Sequence, residues 1–274
     1  MFAALLMDIE KSRDYAIADR TEVQQRIRDS ILILNDIFTV ELEHNVIFSG
    51  GDEIQGLFRT AQSAYLYQRF LRILLFPVLL RSGIGYGDWT VRMHEGGSTE
   101  QDGPAYHRAR HALHAIEKMP EYKIIYNSES KQDIFVNQML HGAELLGQHC
   151  TAYQKQLILL CEFLYPIDAG QILNSFKISE LFNLWNVWQD EKMNNPFDEG
   201  KKSSSVDAFA VVSELCITTG QIRGISRELS KILGVSRQSI EKAIKTGYII
   251  ELRNETIAIL QYVREIAFAH NNGR

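Results

Sequence analysis

Asn45-Val46-Ile47-Phe48-Ser49-Gly50-Gly51-Asp52-Glu53-Ile54-Gln55-Gly56-Leu57-Phe58 consists of two short apolar runs folded about a glycine pair. Asn45–Phe48 and Ile54–Phe58 read as strands, and Ser49-Gly50-Gly51-Asp52-Glu53 as a tight hairpin whose glycines supply positive φ. Upstream, Phe2–Met7 is a continuous apolar run that stops at Asp8, the pattern of a central strand covered on both faces. Between these pieces Val23, Ile27, Ile31, Leu34 and Ile37 recur at helical spacing, which predicts a helix over Thr21–Phe38. Downstream the pattern predicts a helix over Gln62–Leu75 and a strand over Val78–Tyr86, with Trp89–Met93 continuing it after a bend. A helix over Ala105–Lys118, a strand over Tyr122–Tyr126 and a helix over Ser130–Leu146 follow. The order β-α-β-β-α-β, then α-β-α, predicts an α+β fold: a ferredoxin-like or palm sheet with its helices on one face.

After about residue 147 the strand signals fade. Tyr153–Phe163, Ala169–Phe176, Ser179–Trp188 and Val206–Ile217 read as helices, and Lys192–Ser205 as a linker or exposed loop. This divides the chain into a palm domain over 1–147 and an all-α region over 148–274, with a helix-turn-helix at about 206–250.

Composition sets outer bounds. The 274 residues carry a net charge of −5, with an apolar fraction of 45%, enough for a sizeable core. From Lys201 onward eleven Lys and Arg stand against seven Asp and Glu, a balance of +4 that leaves −9 on residues 1–200. A basic end on an acidic body suggests two jobs. Cys150, Cys161 and Cys216 have no spacing that implies a disulfide framework or a zinc site. The apolar start lacks a basic region and ends after seven residues, and no other apolar run reaches bilayer length. The expectation is a cytoplasmic protein with no membrane partner.

Asp8 at the end of a central strand and Asp52 in a neighbouring hairpin form a pattern that can hold a divalent ion. Adjacent strands lie about 5 Å apart, and Mg²⁺ takes a few carboxylate oxygens while leaving its other positions to phosphates and water. The expected cofactor is Mg²⁺ or Mn²⁺, held by Asp8, Asp52 and Glu53, with the backbone from Ile9 to Ser12 against the phosphates. Glu53 faces the metal if the turn is still open there, and the other face if the strand has begun. The same residues also have bland readings: Gly-Gly-Asp as a good turn, and Asp8 as a helix cap.

Four ordered motifs carry a resemblance. Asp8-Ile9-x-x-Ser12, Gly51-Asp52-Glu53-Ile54-Gln55-Gly56-Leu57, Arg81-x-Gly83-Ile84-Gly85-x-Gly87 and Asp102-Gly103-Pro104-Ala105-Tyr106-x-x-Ala109-Arg110 closely resemble the SatD family. The resemblance implies a palm-like first domain related to class III nucleotide cyclases and GGDEF proteins, followed by a helix-turn-helix region. It adds Gly50, Gly51, Asp102, Gly103, His107 and Arg110 to Ile9 and Ser12 as nucleotide-binding positions. The sequence departs from the cyclases where they present an Asn and, four residues on, an Arg: His107 and His111 stand there, with Arg110 one position off. Ile54 replaces the final Phe of the GGDEF pattern, so guanine specificity does not transfer. His107, His111 and His114 lack a zinc-protease pattern and flank Arg108 and Arg110, so exposed or phosphate-facing histidines are expected.

The segment Ser226–Ile240 has helix-turn-helix form. Leu229, Ile232 and Leu233 pack a first helix, Gly234 takes the turn and Val235 plugs the core; Ser236 caps a second helix anchored by Ile240 and Ile244. Arg237 and Gln238 are residue types that read guanine and adenine. Arg227, Lys231, Lys242 and Lys245, with Ser236, suit phosphates. Tyr248–Leu252 suggests a wing strand, and the helix Glu255–Phe268 a dimer seam or a core face. The expected function is a nucleotide-responsive regulator: a palm that binds a nucleoside triphosphate or other nucleotide, coupled to a DNA-binding region, as a possible homodimer. A nucleotidyl cyclase or nucleotidyltransferase is the enzymatic alternative, and a degenerate palm serving as a protein scaffold is the third reading.

Overall fold

The apolar run at the start of the chain becomes β1 (Phe2–Ile9), the middle strand of a five-stranded sheet. The structure is a computed structural model that describes residues 1–12, 16–93, 96–189, 193–197, 203–210 and 215–272. The chain continues through α1 (Ile17–Ile37), the hairpin β2 (Leu42–Gly50) and β3 (Glu53–Phe58), α2 (Ala61–Leu74) and β4 (Leu80–Gly87). Next come α3 (Pro104–Lys118), β5 (Ile124–Asn127) and α4 (Asp133–Gln148). The strand order is β2-β3-β1-β4-β5. β1 runs antiparallel to both β3 and β4, and β5 joins β4 in parallel. The fold is therefore α+β around a mixed sheet.

Alternation along β1 explains why every residue from Ala3 to Met7 is fully buried. Ala3, Leu5, Met7 and Ile9 enter the larger core with Ile27 and Leu34 of α1 and Leu66 and Phe70 of α2. Ala4 and Leu6 face the other way, with Leu57, Ala105, Ala109 and Leu113. Helices thus cover both faces of the sheet, which corrects the one-faced expectation. The cause lies in β4. Gly83, Gly85 and Gly87 pair with Leu6, Ala4 and Phe2 and form a bare track under α3. A Cβ on Gly85 would sit 2.1 Å from the Ala105 carbonyl oxygen and 2.2 Å from the Ala109 nitrogen. The helix backbone lies against the strand itself.

Beyond α4 the chain forms α5 (Ala152–Leu164), β6 (Ile167–Asp168), α6 (Ile178–Val187), β7 (Val206–Asp207), α7 (Ile225–Leu233), α8 (Arg237–Thr246) and α9 (Ile249–Asn272). α5 and α9 pack on α2, α9 also on α4, and α6 on α1. The larger core runs without a break from the sheet into these helices. A buried charge cluster reinforces the joint: Glu162 of α5 accepts from Arg69 of α2 at 3.1 Å and from Arg253 of α9. Glu162 and Arg253 are both 0% exposed.

Several local expectations give way. Ala169–Phe176 is no α-helix: Gly170 and Gln171 adopt positive φ, and the Asp168 carboxylate accepts from the Ile172 N–H at 2.9 Å, a turn that competes with helix. Val206–Asp207 pairs with β6 as a short parallel strand where a helix over Val206–Ile217 was predicted, and 211–214 fall outside the described residues. The predicted linker Lys192–Ser205 lies partly outside them as well, at 192 and 198–202. Trp89–Met93 makes only an isolated bridge, Val91 to Asp102, because the Trp89 indole N–H turns back to the Val91 carbonyl at 2.7 Å. Val235 is 39% exposed and plugs nothing. Tyr248, at φ 50°, marks the break after α8, and Ile249 onward is α9 with no wing strand. Ile257, Leu260, Val263 and Ile266 of α9 are buried within the chain, so this stripe is a core face. Among the described residues no helix is long and apolar enough to cross a membrane.

Candidate functional site

The track that admits α3 also explains where it stops. Arg81, Gly83, Gly85 and Gly87 share one face of β4, and only Arg81 carries a side chain there. It stands directly across from Asp8, which alternation places on the same face as Ala4 and Leu6. The pair is bidentate: Arg81 Nε to Asp8 Oδ1 at 2.8 Å and Nη2 to Oδ2 at 2.6 Å. Burial pushes the Asp8 carboxyl up; Arg81 opposes this, and the negative charges of Asp52 and Glu117 add to it. The Arg81 guanidinium is in turn held protonated by its hydrogen bond to Asp8.

Asp52 reaches the same place from the hairpin. Gly51 takes φ 60° in the two-residue connection between Gly50 and Glu53, and its carbonyl accepts from the Gln24 side chain of α1 at 3.3 Å. Asp8 and Asp52 line one concave pocket of about 560 Å³ together with Ile9, Lys11, Ser12, Arg20, Arg81 and Glu117. Ile9 buries its side chain in the core of the opposite face. Gly50 lies at the end of β2 with open space where a side chain would be. Glu53 already belongs to β3, and its carboxylate accepts from the Ser49 hydroxyl at 2.8 Å instead of lining the pocket.

The remaining nucleotide candidates lie at the other end of α3. Asp102 and Gly103 precede its first turn, and Glu117 is in its last. At about 1.5 Å per residue the helix spans roughly 20 Å, so Asp102, Gly103 and His107 do not meet Asp8. Asp102 pairs with His107 at 2.9 Å, both exposed. The Gly103 backbone N–H, then His107, holds the Asp102 carboxyl below the usual range. Gly103 itself is demanded by packing, since a Cβ would come within 2.7 Å of the Thr90 nitrogen. Arg110 is exposed on the outer side of the helix, and His111 Nδ1 lies 3.3 Å from the Asn127 amide.

Arg20, Arg81 and Glu117 are pocket residues that sequence reasoning had not placed in the site, while Lys11 lies in the Ile9–Ser12 stretch expected there. Signals for two of them existed. Arg81 heads the alternating glycine track, and Glu117 follows Ala105, Ala109 and Leu113 in a row of every fourth residue, the row that faces the sheet. The donors of the pocket are hard oxygens, the class that Mg²⁺ and Mn²⁺ accept. Among the described residues no three His, Cys, Asp or Glu side chains gather into a preformed cage. An ion here would bring part of its shell with it, as phosphate oxygens or water.

On the far side of the chain α7 and α8 meet through Leu229, Ile232, Ile240 and Ile244, all buried. Gly234, at φ 65°, ends α7, and the Ser236 hydroxyl caps α8 by accepting from the Ser239 N–H at 3.2 Å. Arg227, Lys231, Ser236, Arg237, Gln238, Lys242 and Lys245 are all exposed. Arg237 lies along its own helix, bonded to Glu241 at 2.7 Å.

Comparison with curated proteins gives no match. The SatD family model matches residues 2–195, which takes in the whole sheet, the Asp8–Asp52 pocket and the helices through α6, and it ends before α7. That match covers well over half of the chain, and the protein therefore belongs to the SatD family.

Proposed function

We propose that the Asp8–Asp52 pocket binds a nucleotide together with Mg²⁺ or Mn²⁺ on a palm-type, ferredoxin-like sheet. The α7–α8 pair then acts as a DNA-binding helix-turn-helix, making the protein a nucleotide-responsive regulator. The observation that carries the reading is the convergence of Asp8 and Asp52 with Lys11, Arg20 and Arg81 in one open pocket. The carboxylates suit a divalent ion, the cations suit phosphates, and Ser12 offers a hydroxyl to either. The basic, exposed side chains of α7 and α8 support the DNA half, since phosphate contacts supply most of such affinity.

Binding is favoured over turnover because His107 lies in the first turn of α3, toward the end away from the pocket of the same chain, and Arg110 is exposed and does not line that pocket. The test is calorimetric titration of the full chain with each nucleoside triphosphate, with and without Mg²⁺, for wild type and Asp52→Ala. Saturable, metal-dependent binding that Asp52→Ala weakens at least tenfold is expected. Mobility shifts on a random DNA pool, repeated with nucleotide and at rising salt, should give salt-sensitive, sequence-preferring binding. Failure of both assays sinks the reading. Pyrophosphate release from a triphosphate that Asp52→Ala abolishes would move the assignment to a nucleotidyltransferase.

A further inference from the structure

A second cavity, of about 380 Å³, opens on the other side of the sheet and shares no residue with the Asp8–Asp52 pocket. It lies between α2, β4, β5 and α4 on one side and α5 and α9 on the other. Its walls are largely aliphatic, with Ile73, Leu80, Ile124, Leu140, Ile158 and Leu252 among them. Phe76, 37% exposed, stands at the rim, and Lys155 Nζ lies 4.1 Å over its ring.

Two polar side chains in this wall are almost completely buried yet incompletely bonded. Gln68 is 2% exposed and its Oε1 has no partner. Arg69 is 9% exposed; its Nη2 donates to Glu162, while Nη1 has no partner. The other charges differ in their bonding. Arg72 is closed by Glu144 and Lys123 by Glu10, whereas Lys155 has no carboxylate partner among the described residues. A buried polar atom without a partner is costly. An aliphatic cavity of this size with a few convergent polar groups is the usual form of a small-molecule site.

We propose that this cavity binds a small organic acid with an apolar body. The carboxylate is met by Arg69 and Lys155, a hydroxyl or N–H of the ligand donates to Gln68 Oε1, and the body fills the aliphatic walls. The same groups disfavour an amine, which would add a cation beside Arg69 and Lys155.

The test is calorimetric titration of the full chain with indole-3-acetate, 4-phenylbutyrate and octanoate, each beside its matched alcohol and amine. At least one acid should bind saturably, one per chain, and at least tenfold tighter than its alcohol or amine. Lys155→Ala should weaken that acid about fivefold. Ala143→Phe, which fills the cavity without touching an ion pair, should abolish binding while far-UV circular dichroism is retained. If Ala143→Phe does not fold, Gly147→Leu fills the same cavity from a position where an added Cβ meets nothing within 4 Å. The proposal is overturned if no acid binds the folded protein, if alcohol or amine binds as well as acid, or if binding survives the filled cavity.

Discussion

Replacing Glu162 by Gln removes the negative charge that joins the sheet to the C-terminal helices while keeping the shape of the side chain. In the wild type the carboxylate is 0% exposed, accepts from Arg69 and Arg253 through Oε1, and takes the Ile167 N–H on Oε2 at 3.2 Å. Burial alone pushes this carboxyl up, but Arg253 and Arg69, with their hydrogen bonds, hold it below its ordinary value of 4.5. In the variant the Arg253 and Arg69 guanidiniums face each other across a neutral amide. Breaking a buried pair by removing one partner costs about 3–5 kcal/mol, a large part of the roughly 5–15 kcal/mol that holds a native protein together. At about 2–4 °C per kcal/mol for chains of about 150–250 residues, Tm should fall by about 6–20 °C. Urea and thermal unfolding followed by circular dichroism measure both. The pH dependence has a fixed sign. Because the folded-state pKa of Glu162 lies below its unfolded value, its contribution is fully present above the unfolded value and is lost as pH falls through the folded one. The gap between wild type and variant should therefore be widest near neutral pH and shrink on acidification. A loss under about 1 kcal/mol at pH 7, or a gap that does not narrow toward acid, would refute the reasoning.

Gly85→Val should destabilise the protein at or above the upper end of the roughly 1–3 kcal/mol typical of overpacking, because the added Cβ meets the α3 backbone at 2.1 Å; a change within about 0.5 kcal/mol in urea unfolding would remove the bare-track account. Ser236→Ala should cost about 1 kcal/mol through loss of the α8 cap, and it should loosen amide-exchange protection in α8 before that in α9. Lys242→Ala and Lys245→Ala should each lower the slope of log affinity for DNA against log salt by about 0.9; an unchanged slope in both would take α8 off the DNA.

The sheet was legible because its signals are local and periodic. The apolar run into Asp8, the glycine hairpin and the helical spacing of α1 and α2 each stand within one segment. The face taken by α3 was also encoded, in the alternation of Arg81, Gly83, Gly85 and Gly87 against the every-fourth-residue row Ala105, Ala109, Leu113. That reading needs two elements taken together. What local pattern cannot yield is contact between segments far apart in the chain. The pairing of β6 with β7 joins Ile167 to Val206, and two-residue strands carry no period. The organic-acid cavity draws its walls from α2, β5, α4, α5 and α9, each of which reads alone as an ordinary amphipathic piece. Helical propensity misled at Ala169–Phe176 for a related reason: the Asp168 side chain takes a backbone N–H that a helix would have used.

The partnership of Asp8 with Arg81 sharpens what the candidate nucleotide pocket can accept. Read from sequence, Asp8 was a free metal ligand at the end of a strand; in the structure its two oxygens are both engaged by one guanidinium. A bare divalent ion entering the pocket would meet Lys11, Arg20 and Arg81, and would compete with Arg81 for Asp8. A bare anion would meet Asp8, Asp52 and Glu117 instead. Each alone faces charges of its own sign, and Asp8 is buried enough to feel those of Asp52 and Glu117. A metal–nucleotide complex brings both signs at once: the ion answers the carboxylates, and the phosphates give Arg81 and its neighbours the oxygens that Asp8 would surrender. Mixed charge in one pocket is thus a physical reason for ion and nucleotide to assist each other's binding. By linkage each must then tighten the other by the same factor.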